Sequence, residues 1–164
     1  MESSTGAQNG PSCAWTTGAS PVPQASRLER TTLPLKCPTV LCVDDAEAIL
    51  KFYEDLFGGH GFEVVAAANG YQALDAFRSR APHIDAVIVD YEMPGMTGLE
   101  LAILLKRHDP TLPIMMVSGM EPQWEEMHPS IDVALQKGTA IQDLVRHVEL
   151  LLADRPLRQP QPPS

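Results

Sequence analysis

The stretch VIVDYEMPGMTG, running from Val87 to Gly98, decides the fold. Its first three residues are β-branched and apolar with no polar alternation, the pattern of a strand buried on both faces of a parallel sheet. Asp90 ends the apolar run. Pro94 and Gly95 then supply turn chemistry. Thr97 and Glu100 have capping-box spacing ahead of Leu101, Leu104 and Leu105, so a helix starts at Thr97. Strand, turn and helix in this order form the repeating unit of an α/β protein.

The same unit recurs on either side. Short apolar runs predict strands at Val40–Val43, Phe62–Ala67, Ala86–Val89, Ile114–Val117 and Asp132–Leu135. Between the first two, Ile49, Tyr53, Leu56 and Phe57 make one stripe at helical spacing. A second helix is expected from about Asn69, with Ala73, Leu74 and Phe77 inward. The last helix repeats the capping device with Thr139 and Gln142, followed by Leu144, Val145, Val148, Leu151 and Leu152. The fourth crossover, Met120–Ser130, contains Pro122 and Pro129 and leaves room for about two helical turns. Trp124 and Met127 stand at helical spacing there, to pack on the sheet or to form an exposed patch. Five strands alternating with five helical segments predict a parallel sheet with helices on both faces, and no internal repeat is evident.

Residues 1–37 are rich in Ser, Thr, Gly, Pro and Ala and lack hydrophobic periodicity, so a disordered N-terminal tail is expected ahead of one domain at 38–153. Residues 154–164 carry Pro156, Pro160, Pro162 and Pro163 and read as a Pro-rich C-terminal tail. The 164 residues are 44% hydrophobic and 20% charged, an ordinary globular balance. Twelve Lys and Arg against 21 Asp and Glu give a net charge of −9, which argues against a nucleic-acid partner needing a basic face. No apolar run reaches the length of about 18 residues that spans a bilayer, so no membrane association is expected. The start, Met1 to Pro11, lacks the features of a secretion signal. Cys13, Cys37 and Cys42 form no CxxC pair, Cys42 reads as a small core residue, and a reduced, cytoplasmic setting follows. Among His60, His83, His108, His128 and His147 no two are four apart, so a histidine metal site is not expected.

Chemistry concentrates where the strands stop. The first strand ends in Asp44–Asp45, the third in Asp90, the fourth in Ser118 and the fifth in Lys137, while the second offers only Ala66–Ala68. Ligands of open parallel sheets bind outside the carboxyl ends of the strands, so these groups are expected to share one crevice. A single strand-end Asp is a common helix cap. Acid, acid, hydroxyl and amine at four ends are harder to explain that way. Three crowded carboxylates repel one another unless positive charge joins them. Lys137 supplies one such charge, and a hard divalent cation, Mg²⁺ by its small demand for protein ligands, suits the rest. A carboxylate beside Mg²⁺, an ammonium and a hydroxyl can receive a phosphoryl group.

From Val40 to about Leu152 the chain resembles the receiver domain of two-component response regulators. The matching pieces are VLCVDD ending at Asp44–Asp45, VIVDYEMPGMTG around Asp90, MMVSG ending at Ser118–Gly119, and ALQKG holding Lys137. The resemblance implies a flavodoxin-like, doubly wound (βα)5 fold with a five-stranded parallel sheet in the order 2-1-3-4-5. It implies that Asp90 is the phosphoacceptor, and that Asp45 and Asp90 bind Mg²⁺ together with the backbone carbonyl of Glu92. Asp44 would orient metal-bound water, Lys137 and Ser118 would contact phosphoryl oxygens, and the backbone N–H of Gly119 would help cradle them. A sensor histidine kinase or phosphotransfer protein would be the donor, an unknown protein the output, and the chain a monomer or a phosphorylation-dependent dimer. With only a Pro-rich tail after the last helix, a stand-alone switch is expected. It would not be an enzyme beyond its own phosphotransfer and autodephosphorylation.

Two positions depart from the family. Ala134 stands where an aromatic residue usually precedes the Lys by three, which removes the usual readout of activation. Gly138 replaces the Pro that often follows the Lys; a non-proline cis bond costs about 3 kcal/mol, so a trans and differently shaped loop is expected. Glu92, two residues past Asp90, is either a solvated acid or, with Met120, a determinant of how long the phosphoryl group survives. An interaction module that is never phosphorylated, and an aspartyl-phosphate phosphatase using Asp90 with Glu92, are the alternatives. The intact Asp45, Asp90, Ser118 and Lys137 set opposes the first, and the absence of a cap insertion opposes the second.

Overall fold

Where the sequence is apolar without alternation, the strands are buried from end to end. A computed structural model of the chain describes residues 37–80, 84–120 and 128–154. β1 (Thr39–Val43), β3 (Ala86–Asp90) and β4 (Ile114–Ser118) have every residue buried, while β2 (Glu63–Ala67) and β5 (Val133–Gln136) are partly exposed. That difference follows from position, since all five strands pair in parallel in the order β2-β1-β3-β4-β5 and the two half-exposed strands form the edges. The order is the one the resemblance implied.

Four helices are described: α1 (Glu47–Gly59), α2 (Gly70–Arg80), α3 (Gly98–His108) and α4 (Ile141–Ala153). α2, α3 and α4 start within two residues of their expected starts, and α1 carries the stripe from Ile49 to Phe57. The sheet separates two apolar layers. One joins Leu41, Val43, Val87, Val89, Ile114 and Met116 to Ala73, Leu74 and Phe77 of α2 and to Leu101, Ala102 and Leu105 of α3. The other joins Val40, Cys42, Ile88, Met115, Val117 and Leu135 to Leu50, Tyr53 and Phe57 of α1 and to Leu144, Val145 and Val148 of α4. Residues alternate between the layers along every strand, as a pleated backbone requires. The expected core residues Ile49, Leu56, Leu151 and Leu152 are only partly buried, and Leu104 flanks the first layer.

The α3 capping box forms as read. The Thr97 hydroxyl oxygen accepts from the Glu100 N–H at 3.3 Å, and the Glu100 carboxylate accepts from the Thr97 N–H at 2.9 Å. These bonds, from the Thr97 backbone first and its hydroxyl second, lower the Glu100 pKa. Thr97→Ala is expected to lower stability by about 1 kcal/mol in urea unfolding, because one N-terminal donor of α3 loses its acceptor; an unchanged midpoint would contradict the cap's role.

The second expected capping box does not form. α4 starts at Ile141 with Ala140 as its N-cap and no side-chain cap. Thr139 instead donates its hydroxyl to the Gln136 carbonyl at 2.7 Å, a local turn bond that competes with capping. Other expectations fall outside the described residues: the tails at 1–36 and 155–164, Cys13, His83, and the fourth-crossover segment 121–127 with Trp124 and Met127. No helix among the described residues is long and apolar enough to cross a membrane.

β5 carries Lys137 at its carboxyl end and is held at both ends. At its start the Asp132 carboxylate accepts the Ile114 N–H at 2.7 Å and pairs with Lys106 of α3 at 2.8 Å. At its finish the Lys137 N–H donates to the Ser118 carbonyl at 2.7 Å.

Candidate functional site

Pleat geometry puts three charged groups on one side of the sheet. Cys42, Ile88 and Leu135 all belong to the α1–α4 layer. Two residues further along their strands come Asp44, Asp90 and Lys137, which therefore point the same way. There the apolar layer ends and the charges begin.

The geometry is close. One carboxylate oxygen from each of Asp44, Asp45 and Asp90 lies within 4.8 Å of the others. Lys137 Nζ donates to Asp90 Oδ2 at 2.9 Å and stands 3.4 Å from Asp44 Oδ2. Asp44 Oδ1 accepts the Ala46 N–H at 2.9 Å, which fixes the bend between β1 and α1. Asp44 and Asp90 are 1% and 3% exposed, whereas Asp45 is exposed and lines an open crevice with Asp90, Tyr91, Glu92, Met93, Pro94, Thr97 and Lys137.

Electrostatics bear out the crowding. Burial raises the Asp44 pKa, and the Asp90 charge adds to that, against the lowering effects of the Ala46 N–H and of Lys137. For Lys137, burial pulls the pKa down, but the hydrogen bond to Asp90 and the charges of Asp44 and Asp90 together outweigh it, and the pKa is raised. Asp90 Oδ1 is buried and accepts no hydrogen bond among the described residues. An uncompensated carboxylate oxygen at that depth is costly, and a cation is what such an atom can bind. The donors are all hard oxygens carrying more than one negative charge, so the set fits a small divalent cation.

Of the residues expected at the site, Asp44, Asp45, Asp90 and Lys137 come together. The Ser118 hydroxyl does not join them in hydrogen bonding. Ser118 alternates with Val117 and so falls on the opposite pleat, and its Oγ accepts the Met120 N–H at 3.1 Å. Glu92 is exposed on the crevice wall, and Gly119 and Met120 are exposed beyond β4.

Gly98 is a site residue that the sequence reading passed over. A Cβ built on it would stand 2.1 Å from the Asp90 carbonyl oxygen and 2.9 Å from its carbon. The first turn of α3 thus lies directly against the backbone of Asp90, and the Gly98 N–H donates to the Tyr91 carbonyl at 3.0 Å. A glycine inside a capped helix start, where it is a poor helix former, was the available signal.

Both departures from the family are visible. Ala134 is buried in the α2–α3 layer, away from the charged cluster. Gly138 has φ of +99°, a conformation closed to proline, so the loop after Lys137 takes another course.

Known proteins resemble the chain in sequence and in fold. A family model described as the response regulator receiver domain matches residues 40–149. The sensor histidine kinase GacS of Pseudomonas protegens is 36% identical over 103 residues, covering 59% of this chain and 11% of that protein. The chain thus corresponds to about a tenth of that relative's length. The polar-differentiation response regulator DivK of Brucella anthropi is 31% identical over 90 residues, covering 54% of this chain and 72% of DivK. Among solved structures, the response regulator TrrA of Thermotoga maritima, in complex with Mg²⁺-BeF, has a TM-score of 0.65 at 28% identity, covering 70% of this chain and 99% of that one.

Proposed function

The chain belongs to the response regulator receiver family, and from that premise we propose that it is a phosphoacceptor switch modified on Asp90. The observation that carries this reading is the state of the Asp90 carboxylate. It is buried at a strand end, one oxygen is bound to Lys137 and the other has no hydrogen-bond partner among the described residues, and Asp44 and Asp45 stand beside it.

In the proposed reaction an Asp90 carboxylate oxygen attacks the phosphorus of a phosphohistidine or an acyl phosphate. A new O–P bond forms as the donor's N–P or O–P bond breaks, and the leaving group keeps that electron pair. Lys137 would pair with a phosphoryl oxygen, and Ser118 would have to leave its bond to Met120 and rotate inward to donate to another. The Gly119 N–H would face the same oxygens. Asp45, Asp90 and the Glu92 carbonyl would hold Mg²⁺, with Asp44 behind them. When bound, the ion supplies charge neutralisation for the carboxylates and the incoming phosphoryl group. TrrA, solved with Mg²⁺-BeF, supports that choice of ion.

The names of GacS and DivK, a sensor histidine kinase and a response regulator, support a phosphohistidine donor, either a kinase or a phosphotransfer protein. Output would pass to another protein through the changed surface, in the cytoplasm, from a monomer or a phosphorylation-dependent dimer. Glu92 and Met120, both exposed at the rim, would tune how fast the phosphoryl group is hydrolysed.

A second reading, an interaction module that is never modified, is favoured by Ala134 and by the altered course at Gly138. Incubation with acetyl phosphate and Mg²⁺, followed by intact mass, distinguishes them. We expect one phosphoryl adduct, absent from Asp90→Asn and abolished by chelation. No adduct on the wild-type chain would support the silent module, and release of inorganic phosphate without an adduct would support a phosphatase.

A further inference from the structure

β2 ends in Ala67 and Ala68, without an acid, hydroxyl or amine to offer the site. The turn it makes into α2 nevertheless touches both arms of the acidic crevice. On one arm, the Asp44 N–H donates to the Ala67 carbonyl at 3.2 Å. The other arm is the loop after Asp90, whose residues Tyr91, Glu92, Met93, Pro94 and Thr97 wall the crevice.

Hydrogen bonds secure that loop at its ends. The Tyr91 N–H donates to the Val117 carbonyl and the Gly98 N–H to the Tyr91 carbonyl, each at 3.0 Å. Its middle rests on the first turn of α2. A Cβ built on Gly70 would stand 2.5, 3.0 and 3.1 Å from the Sδ, Cγ and Cβ of Met96. One built on Gly95 would stand 3.8 Å from Cε2 of Tyr71. Met96 is thus seated on the Gly70 backbone along its length. A change of rotamer would move the sulfur and leave the Met96 Cβ still crowded. The side chain is also packed against the α2–α3 apolar layer, which limits where it can go. The seat itself is fixed by capping. Asn69 Oδ1 accepts the Gln72 N–H at 2.9 Å, Gln72 Oε1 accepts the Ala68 N–H at 2.9 Å, and the Asn69 carbonyl accepts the Ala73 N–H at 3.0 Å.

We infer that Gly70 is a positioning residue of the cation crevice: by admitting Met96 against its bare Cα, the β2–α2 turn holds the loop that carries Glu92 at a set spacing from the Asp44–Asp45 arm. This rests on the reading of the site given above.

The test measures Mg²⁺ binding by calorimetry on the full, unphosphorylated chain. Wild type, Gly70→Ala, Met96→Ala, the double variant and Gly58→Ala are compared, with the urea midpoint of each. Gly70→Ala should weaken Mg²⁺ binding by about tenfold, the lesser effect of disturbing what supports a metal ligand. In the Met96→Ala background the added methyl has room, and the same change should cost less than about twofold. Gly58→Ala, on α1 with nothing within 4 Å of the added carbon, should bind as wild type. A merely structural role would move the urea midpoint of Gly70→Ala and leave its Mg²⁺ affinity alone. If wild type binds Mg²⁺ and Gly70→Ala binds it equally well, the inference is overturned while the reading of the site stands. A loss that persists in full in the Met96→Ala background overturns it too. If wild type binds no Mg²⁺, the site reading fails and takes the inference with it. Should Gly70→Ala not fold, Met96→Ala decides: with the side chain that rests on Gly70 withdrawn, Mg²⁺ binding must weaken, and wild-type affinity overturns the inference.

Discussion

Gly98→Ala will destabilise the chain by about 3 kcal/mol in urea unfolding, although it introduces a better helix former into the first turn of a helix. Two effects of opposite sign compete here. Helix propensity alone gives Ala an advantage of about 1 kcal/mol over Gly. Against it stands a methyl carbon placed 2.1 Å from the Asp90 carbonyl oxygen and 3.1 Å from the Tyr91 Cα. Both neighbours are backbone, and neither can swing aside as a side chain can. α3 must lift away or Asp90 must shift, and either breaks the bond from the Gly98 N–H to the Tyr91 carbonyl. Steric overlap wins. Because the displaced atoms belong to Asp90, phosphoryl uptake should fall along with stability. A variant as stable as wild type would show that the close approach is not present in solution.

Lys137→Met should slow phosphoryl uptake by about two orders of magnitude, the usual effect of removing one charged donor from a transition state. It should also destabilise the fold, since it strips the cation from two carboxylates that are almost wholly buried. Breaking a fully buried pair costs about 3–5 kcal/mol. The Lys137 side chain is 37% exposed and its charge is partly screened, so about 1–2 kcal/mol is expected at neutral pH. The pH dependence carries a sign. The Lys137 pKa is raised in the fold, so its contribution is whole below the ordinary lysine pKa and is lost as pH climbs through the folded value. Wild type should therefore weaken on the alkaline side, where the variant has nothing left to lose. Asp44 behaves oppositely to a usual salt-bridged carboxylate. With its pKa raised, chiefly by burial, the fold prefers it protonated, and acidification toward the ordinary carboxylate range relieves its charge. The deficit of Lys137→Met should then shrink as pH falls from neutral. Urea midpoints of both chains across pH test this, and a deficit that grows in acid would refute the assignment.

Much of this was readable from residues because period and position coincide. Unbroken apolar runs located all five strands to within a residue at either end, and strand ends in a parallel sheet must converge, so Asp44, Asp45, Asp90 and Lys137 could be grouped from positions far apart in the chain. The pleat of Ser118 was harder to read. Its place at a strand end suggested inward approach, yet strand alternation and the Met120 N–H hold its oxygen elsewhere. Thr139 misled because a capping box and a local turn bond use the same residue types, and only the backbone path after Gly138 chooses between them. Gly98 offered only its poor helix propensity as a signal, because what it avoids, a carbonyl eight residues back, is a tertiary contact with no spacing rule of its own.

The alternation of side chains along the strands bears on how this chain can vary. Deleting one residue from β3 would turn Asp90 toward α2 and α3 and bring Tyr91 into its place beside Lys137, exchanging a carboxylate for a phenol in a single step. The connections at the far rim of the sheet, such as Pro110 to Pro113 ahead of β4, carry no such parity, and added length there leaves every strand in phase. Length added at the rim opposite the charges should thus leave the site in phase, whereas a change of count inside a strand inverts it.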